Sequence, residues 1–192
     1  MKNIANFLFE VGMLKRTPRT GFQFLGSGAQ SVAEHSFRTA MIGYVLAQLD
    51  GEVEVARVVQ LCLFHDLPEA RTGDQNYVNK KYVQVDEMKA VADLAQQLPF
   101  GADYRATLEE FIDRESREAE LAHDADQLEM VLSLKERKDL GNRYADEWYP
   151  FCRARLKTEG ARTLAETIWQ TDSSRWWFDD DHDWWVNGGK AE

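Results

Sequence analysis

A disulfide framework is out of reach for this chain. Cys62 and Cys152 are its only cysteines, and two thiols, one inside an apolar run, suit a reducing compartment. Nowhere do 18 apolar residues follow one another, so the sequence offers no membrane-spanning helix. Residues 1–10 carry Lys2 and then an acid after Phe7-Leu8-Phe9, without the long apolar stretch and small-residue cleavage site of a secretory signal. The cytoplasm is therefore the expected location. Positive charge is also short: 23 Lys and Arg against 33 Asp and Glu leave a net charge of −10. That balance argues against nucleic-acid or anionic-membrane binding, which need a positive footprint. A small anionic substrate stays open, because local charge decides it and Lys15, Arg16 and Arg19 stand together.

What is present reads as one all-α domain. With 192 residues, 44% of them apolar, the chain can bury a core without covalent staples. Ile4, Phe7, Leu8, Val11 and Leu14 recur at helical spacing in a first helix. Residues 16–28 break that period with a proline and three glycines and read as a loop. Ser31 with Glu34 three residues on forms a capping box for a second helix. This helix is apolar on both sides and so is expected to be buried. A third runs over 53–64 and ends just past His65-Asp66, because Pro68 disfavours α geometry at Leu67. Residues 69–82 read as an irregular connection. Further helices are expected over 83–98, over 103–139 with one break, and over 143–170. The expected architecture is a single-domain helical bundle over 1–170 and a tail, 171–192, docked through its tryptophans. Four of the six tryptophans (Trp176, Trp177, Trp184, Trp185) stand in that tail among Asp179, Asp180, Asp181 and Asp183.

The chemistry lies in polar residues on apolar faces. His65 continues the stripe of Val58 and Leu61, and Asp66 that of Val59 and Cys62. Asp126 falls in a row with Ala119, Ala122 and Met130, and His35 shares a face with Thr39, Ile42 and Leu46. An ionised carboxylate in such surroundings is costly unless a cation or strong donors compensate it. Two imidazoles and two carboxylates from three helices suit one divalent ion: Mn, Co, Fe, Ni or Zn, with Mg admissible. Such an ion lowers the pKa of a bound water and makes hydroxide accessible at neutral pH. His-Asp pairs occur three times. The pair His182-Asp183 sits in an acidic tail and reads as surface, while His123-Asp124 reads as a neighbour of Asp126.

Ser31-Val32-Ala33-Glu34-His35, Phe64-His65-Asp66-Leu67-Pro68-Glu69, Gly73-Asp74 and Ala125-Asp126-Gln127-Leu128-Glu129 resemble the HD-domain phosphohydrolases. Leu14-Lys15-Arg16-Thr17-Pro18-Arg19-Thr20-Gly21 is similar to an N-terminal element of the YfbR-type 5′-deoxynucleotidases and their HD-domain-containing relatives. The likeness spans about residues 1–140. It implies an α-helical bundle, a homodimer, and hydrolysis of deoxynucleoside 5′-monophosphates to nucleoside and phosphate by a hydroxide on the metal. By position it makes His35, His65, Asp66 and Asp126 the metal ligands, Glu69 and Asp74 the catalytic acids beside the metal, and Arg19 the phosphate-binding arginine. Physically, Glu69 and Asp74 suit proton transfer to or from the attacking water and the leaving 5′-oxygen, and Asp74 alternatively suits a sugar hydroxyl. Arg19 offers a fork for two phosphate oxygens, while Lys80 and Lys81 read as solvated. Some relatives place an aromatic residue after that arginine, against the sugar. Here Thr20 occupies the substrate-binding position, which leaves ribose against deoxyribose open. A triphosphate, cyclic nucleotide or other phosphoester substrate, and a non-catalytic nucleotide sensor, are the competing readings.

Overall fold

The computed structural model describes residues 1–178 and 184–188. Helix α1 (Lys2–Val11) stops earlier than its stripe suggests and hands over to a 3-10 turn, Gly12–Lys15. Leu14 from that turn is buried, whereas Leu8 of the stripe is exposed. The 16–28 loop contains one helical turn, α2 (Phe22–Leu25), and closes with an antiparallel bridge between Pro18 and Ser31. Helix α3 (Val32–Asp50) starts at the expected capping box. The Ser31 hydroxyl accepts from the Glu34 N–H, and the Glu34 carboxylate accepts from the Ser31 N–H.

Helix α4 (Val55–Phe64) lies against α3, and its end at His65 follows the reading from Pro68. Gly43 makes the close crossing possible: a Cβ there would stand 2.5 Å from the Cys62 Sγ and 3.2 Å from the Val58 Cγ1. Beyond Pro68 the irregular stretch holds a helical turn, α5 (Glu69–Thr72), and a 3-10 turn, Asn79–Lys81. Then come α6 (Glu87–Ala95), α7 (Gly101–Asp113) and α8 (Arg117–Asp139). The break between α7 and α8 carries Arg114 in the left-handed region at φ 57°.

The expected helix over 143–170 is two, α9 (Tyr144–Arg155) and α10 (Glu159–Gln170). Its interruption has a specific cause. Buried Asp124 accepts from the backbone N–H groups of Lys157 and Thr158, both at 2.8 Å, and the Thr158 hydroxyl caps α10. A short α11 (Trp184–Asn187) follows. Among the described residues there is no β-strand and no helix long and apolar enough to cross a membrane.

Two apolar clusters form the interior. The larger gathers α3, α4, α8, α9 and α10, with Val58, Leu61, Ala122, Ala125, Leu128 and Leu134 fully buried. The smaller collects Leu14, Val32, Leu67, Leu94, Tyr104 and Leu108 around α6 and α7. Helix α3 departs from the expectation of burial on both sides. His35, Thr39, Ile42 and Leu46 are buried, but Phe37, Met41, Tyr44, Val45 and Leu49 form an exposed stripe. Its second apolar side thus has no partner within the described chain. Both cysteines are free and buried. In the tail, Ser173 donates its N–H to Asp139, and the Trp177, Phe178 and Trp185 rings meet one another at 5.3–5.6 Å. The pair His182-Asp183, with Asp179, Asp180 and Asp181, lies outside the described residues.

Candidate metal centre

Three packed helices deliver the predicted residues to one point. His35 comes from the first turn of α3, His65 and Asp66 from the end of α4, and Asp126 from the first half of α8. One ligand atom each of His35, His65 and Asp126 lies within 4.8 Å of the others. The two Nε2 atoms are 3.3 Å apart. Asp126 Oδ1 is 3.2 Å from the His35 Nε2, and Asp66 Oδ2 lies 3.4 Å and 3.2 Å from the His35 and His65 nitrogens.

Hydrogen bonds on the far side of each ring set the tautomers. His65 Nδ1 is 2.8 Å from the Cys62 carbonyl oxygen, which only accepts, so Nδ1 carries the proton. His35 Nδ1 faces the Glu129 carboxylate at 2.9 Å in the same way. In neutral rings both Nε2 atoms then present lone pairs towards each other and towards two carboxylates, an arrangement that repels itself unless a positive charge sits inside. The electrostatics agree. Burial disfavours a charged His35, yet Asp126 and Glu129 outweigh it and push the ring up to about 10. Burial disfavours the Asp126 anion too, and His35 nevertheless holds it far below the usual carboxylate range.

Glu129 was quoted in the sequence motif without a role, and the structure supplies one. Fully buried, it accepts from His35, from Gln30 Nε2 at 2.5 Å, from Arg38 Nη2 at 2.6 Å and from the Ser133 hydroxyl at 3.2 Å. Arg38 also reaches Glu136. Against the cost of burial, His35 and Arg38 hold Glu129 down at about 2. The signal was legible: Glu129 falls one turn after Ala125 and two after Ala122, an apolar row of the kind that singled out Asp126. His123-Asp124 sits beside the cluster in the scaffold, His123 stacked on Phe111 at 3.9 Å and bonded to its carbonyl, Asp124 accepting from the Lys157 and Thr158 N–H groups just ahead of α10.

The open side of the cluster holds the remaining predicted residues. Arg19 Nη1 lies 3.3 Å from Asp66 Oδ2 and 3.2 Å from Asp74 Oδ1. Burial works against its charge, but Asp66, Asp126 and Asp74 more than offset it and raise its pKa. Thr20 donates both its N–H, at 2.5 Å, and its hydroxyl, at 2.7 Å, to Asp74 Oδ2. Both Asp74 oxygens are thereby engaged. Glu69 differs: its buried Oε2 has no hydrogen-bond partner, and burial, with Asp66 and Asp74 adding, pushes it up to about 9. A cavity of about 540 Å³ opens here, lined by Arg19, Asp66, Glu69, Asp74 and Asp126. Lys80 lines the same cavity with an exposed side chain.

An α-helical bundle that gathers two imidazoles and two carboxylates, with both carboxylates reaching the wall of a cavity beside an arginine and spare acids, has the parts of a metal-dependent hydrolase. The chain belongs to the HD-domain family: that family's profile matches residues 11–169. It is 34% identical over 150 residues to 5′-deoxynucleotidase HDDC2 of Bos taurus, covering 74% of this chain and 71% of that one. A predicted metal-dependent phosphohydrolase from Magnetospirillum magnetotacticum superposes with a TM-score of 0.67 at 26% identity, over 87% of this chain and 89% of that chain. A Pyrococcus horikoshii protein superposes at 0.72 and 26% identity, over 86% of this chain and 98% of that one.

Proposed function

We propose that this protein is a phosphomonoesterase that converts deoxynucleoside 5′-monophosphates to nucleoside and phosphate, with one divalent ion held by His35, His65, Asp66 and Asp126. The observation that carries the reading is the pair of imidazole Nε2 atoms, 3.3 Å apart and flanked by two carboxylates, a concentration of electron-donating atoms that a bound divalent ion satisfies together. The donor set of two nitrogens and two carboxylates fits Mn, Co, Fe, Ni or Zn, with Mg admissible. Bound there, such an ion supplies Lewis-acid catalysis, neutralising phosphate charge and acidifying water. Substrate class is supported by the relatives named 5′-deoxynucleotidase.

The chain's own residues divide the remaining work. Arg19 turns its guanidinium from two carboxylates towards the phosphate oxygens. Asp74, tied down by Thr20, aims Arg19 and takes no part in proton transfer. Glu69, with an oxygen free of partners, exchanges a proton with water and with the leaving 5′-oxygen. Thr20, next to Arg19, faces the sugar side and is spent on Asp74, which leaves no aromatic contact at that position. The exposed stripe of α3 supports a homodimer, the absence of an excess of positive charge supports a small-molecule partner, and the free thiols support a cytoplasmic location. Docking of the 171–192 tail is supported by the bond from the Ser173 N–H to Asp139, while the Trp177, Phe178 and Trp185 rings pack on one another. Phosphate release from a panel of deoxy- and ribonucleoside 5′-monophosphates, with Mn²⁺ or Co²⁺ added, tests this reading. Activity is expected in the wild type and is lost in His65→Ala and Asp126→Ala. Full activity retained in either variant defeats the assignment.

A further inference from the structure

The cavity above the candidate centre has a second wall that the proposed chemistry does not use. Trp148, Phe151 and Arg155 project from one face of α9, at positions three and four apart, and Phe24 and Tyr77 come from the loops on either side. Phe24, Tyr77 and Phe151 are 52%, 65% and 68% exposed, a concentration of solvent-facing aromatic surface around one opening. Arg155 lies 4.6 Å over the Tyr77 ring and so ties the 74–78 loop to α9. The polar groups between these rings are mostly committed elsewhere. Gln127 donates to Asp126 at 2.8 Å and accepts from Arg155 at 3.2 Å, and Asn76 Oδ1 accepts from the N–H groups of Val78 and Asn79. A second cavity on the same cluster is lined by His65, Asp66, Glu69 and Asp126, by charged side chains of both signs, among them Arg114, Lys157, Glu87 and Glu120, and by Phe111, whose ring is already stacked on His123.

Resting on the nucleotidase reading, we propose that Phe151, with Trp148, Tyr77 and Phe24, is the platform on which the substrate's nucleobase stacks. A nucleotide whose phosphate meets Arg19 on the cavity floor carries its base towards this wall, since both belong to one cavity of a size that holds such a ligand. Stacking is worth about 1–3 kcal/mol per base and is tolerant of base identity, which matches a wall of rings with few uncommitted polar groups.

The test uses the full-length protein and calorimetric binding of 2′-deoxyadenosine beside 2-deoxyribose, so that binding is read apart from turnover. Phe151→Ala is expected to weaken deoxyadenosine binding about tenfold, equivalent to ~1.4 kcal/mol, to leave deoxyribose binding unchanged, and to be rescued by Phe151→Trp. In parallel, KM for a deoxynucleoside 5′-monophosphate rises by a similar factor, while 2-deoxyribose 5-phosphate, which lacks a base, is turned over as in the wild type. Unchanged deoxyadenosine affinity in Phe151→Ala overturns the proposal, as does an equal loss for both ligands. A changed oligomeric state with unchanged affinity also overturns it and assigns the wall to a second copy of the chain. Deoxyadenosine binding that depends on Phe151 without phosphate release from any nucleotide upholds the platform and sinks the hydrolase reading alone.

Discussion

The two sides of the candidate centre are built on opposite plans. Behind His35, Glu129 is sealed from solvent and receives bonds from His35, Gln30, Arg38 and Ser133. In front, Glu69 keeps an unpartnered oxygen and Arg19 is shared between two carboxylates in a cavity. A buried network with most of its atoms paired is rigid and fixes the orientation of the ring it holds. An incompletely paired acid beside an opening is costly for the fold and available for chemistry. The same residue type, glutamate, therefore stands in two states: one holds the His35 ring in place, the other keeps an oxygen unpartnered beside the cavity.

That contrast can be broken by experiment. The largest effect is expected at the open side. Glu69→Gln keeps the shape but removes the exchangeable proton, and kcat should fall about 10²–10⁴-fold with metal content by atomic absorption unchanged. If metal content falls in step with kcat, Glu69 is a ligand and not a proton carrier. At the closed side the pattern reverses. Glu129→Gln should weaken metal affinity about 10–100-fold in chelator competition, with kcat recovered at saturating metal. Unaltered affinity there means that the network behind His35 does not orient it.

Smaller effects fall on the scaffold. Asp124→Ala leaves two backbone N–H groups without their buried acceptor, and about 1–3 kcal/mol of stability should be lost. Tm then drops several degrees, with activity per folded molecule retained. Gly43→Ala presses a methyl group into Cys62 where α3 crosses α4. A loss of roughly 1–3 kcal/mol is expected there, accompanied by weaker metal binding, because the crossing sets the distance between His35 and His65. A destabilised variant with wild-type metal affinity separates packing from the site.

Much of the bundle was legible because helical periodicity and caps are local. The Ser31–Glu34 box and the end of α4 before Pro68 both depend on residues within one or two turns, whereas the one break expected within 103–139 received its place, at Arg114, only from the structure. The single helix expected over 143–170 failed for the opposite reason: it is cut by Asp124, more than 30 positions away. The burial expected for both sides of α3 failed because apolar surface says only that a partner is wanted, and within the described chain α3 has one for a single side.

Sequence alone determined that two histidines and two aspartates stand on apolar helical faces, where isolated charge is unfavourable, and their motifs placed the chain among HD-domain proteins. Only the folded chain decided which lone pairs face one another, because tautomers follow from the Cys62 carbonyl and Glu129 behind the rings. It also decided that Asp74 is engaged while Glu69 retains an oxygen without a partner, and that aromatic residues of α9 share a cavity with Arg19. These are distances between segments remote in the chain, and helical period, which repeats within a few residues, carries no information about them.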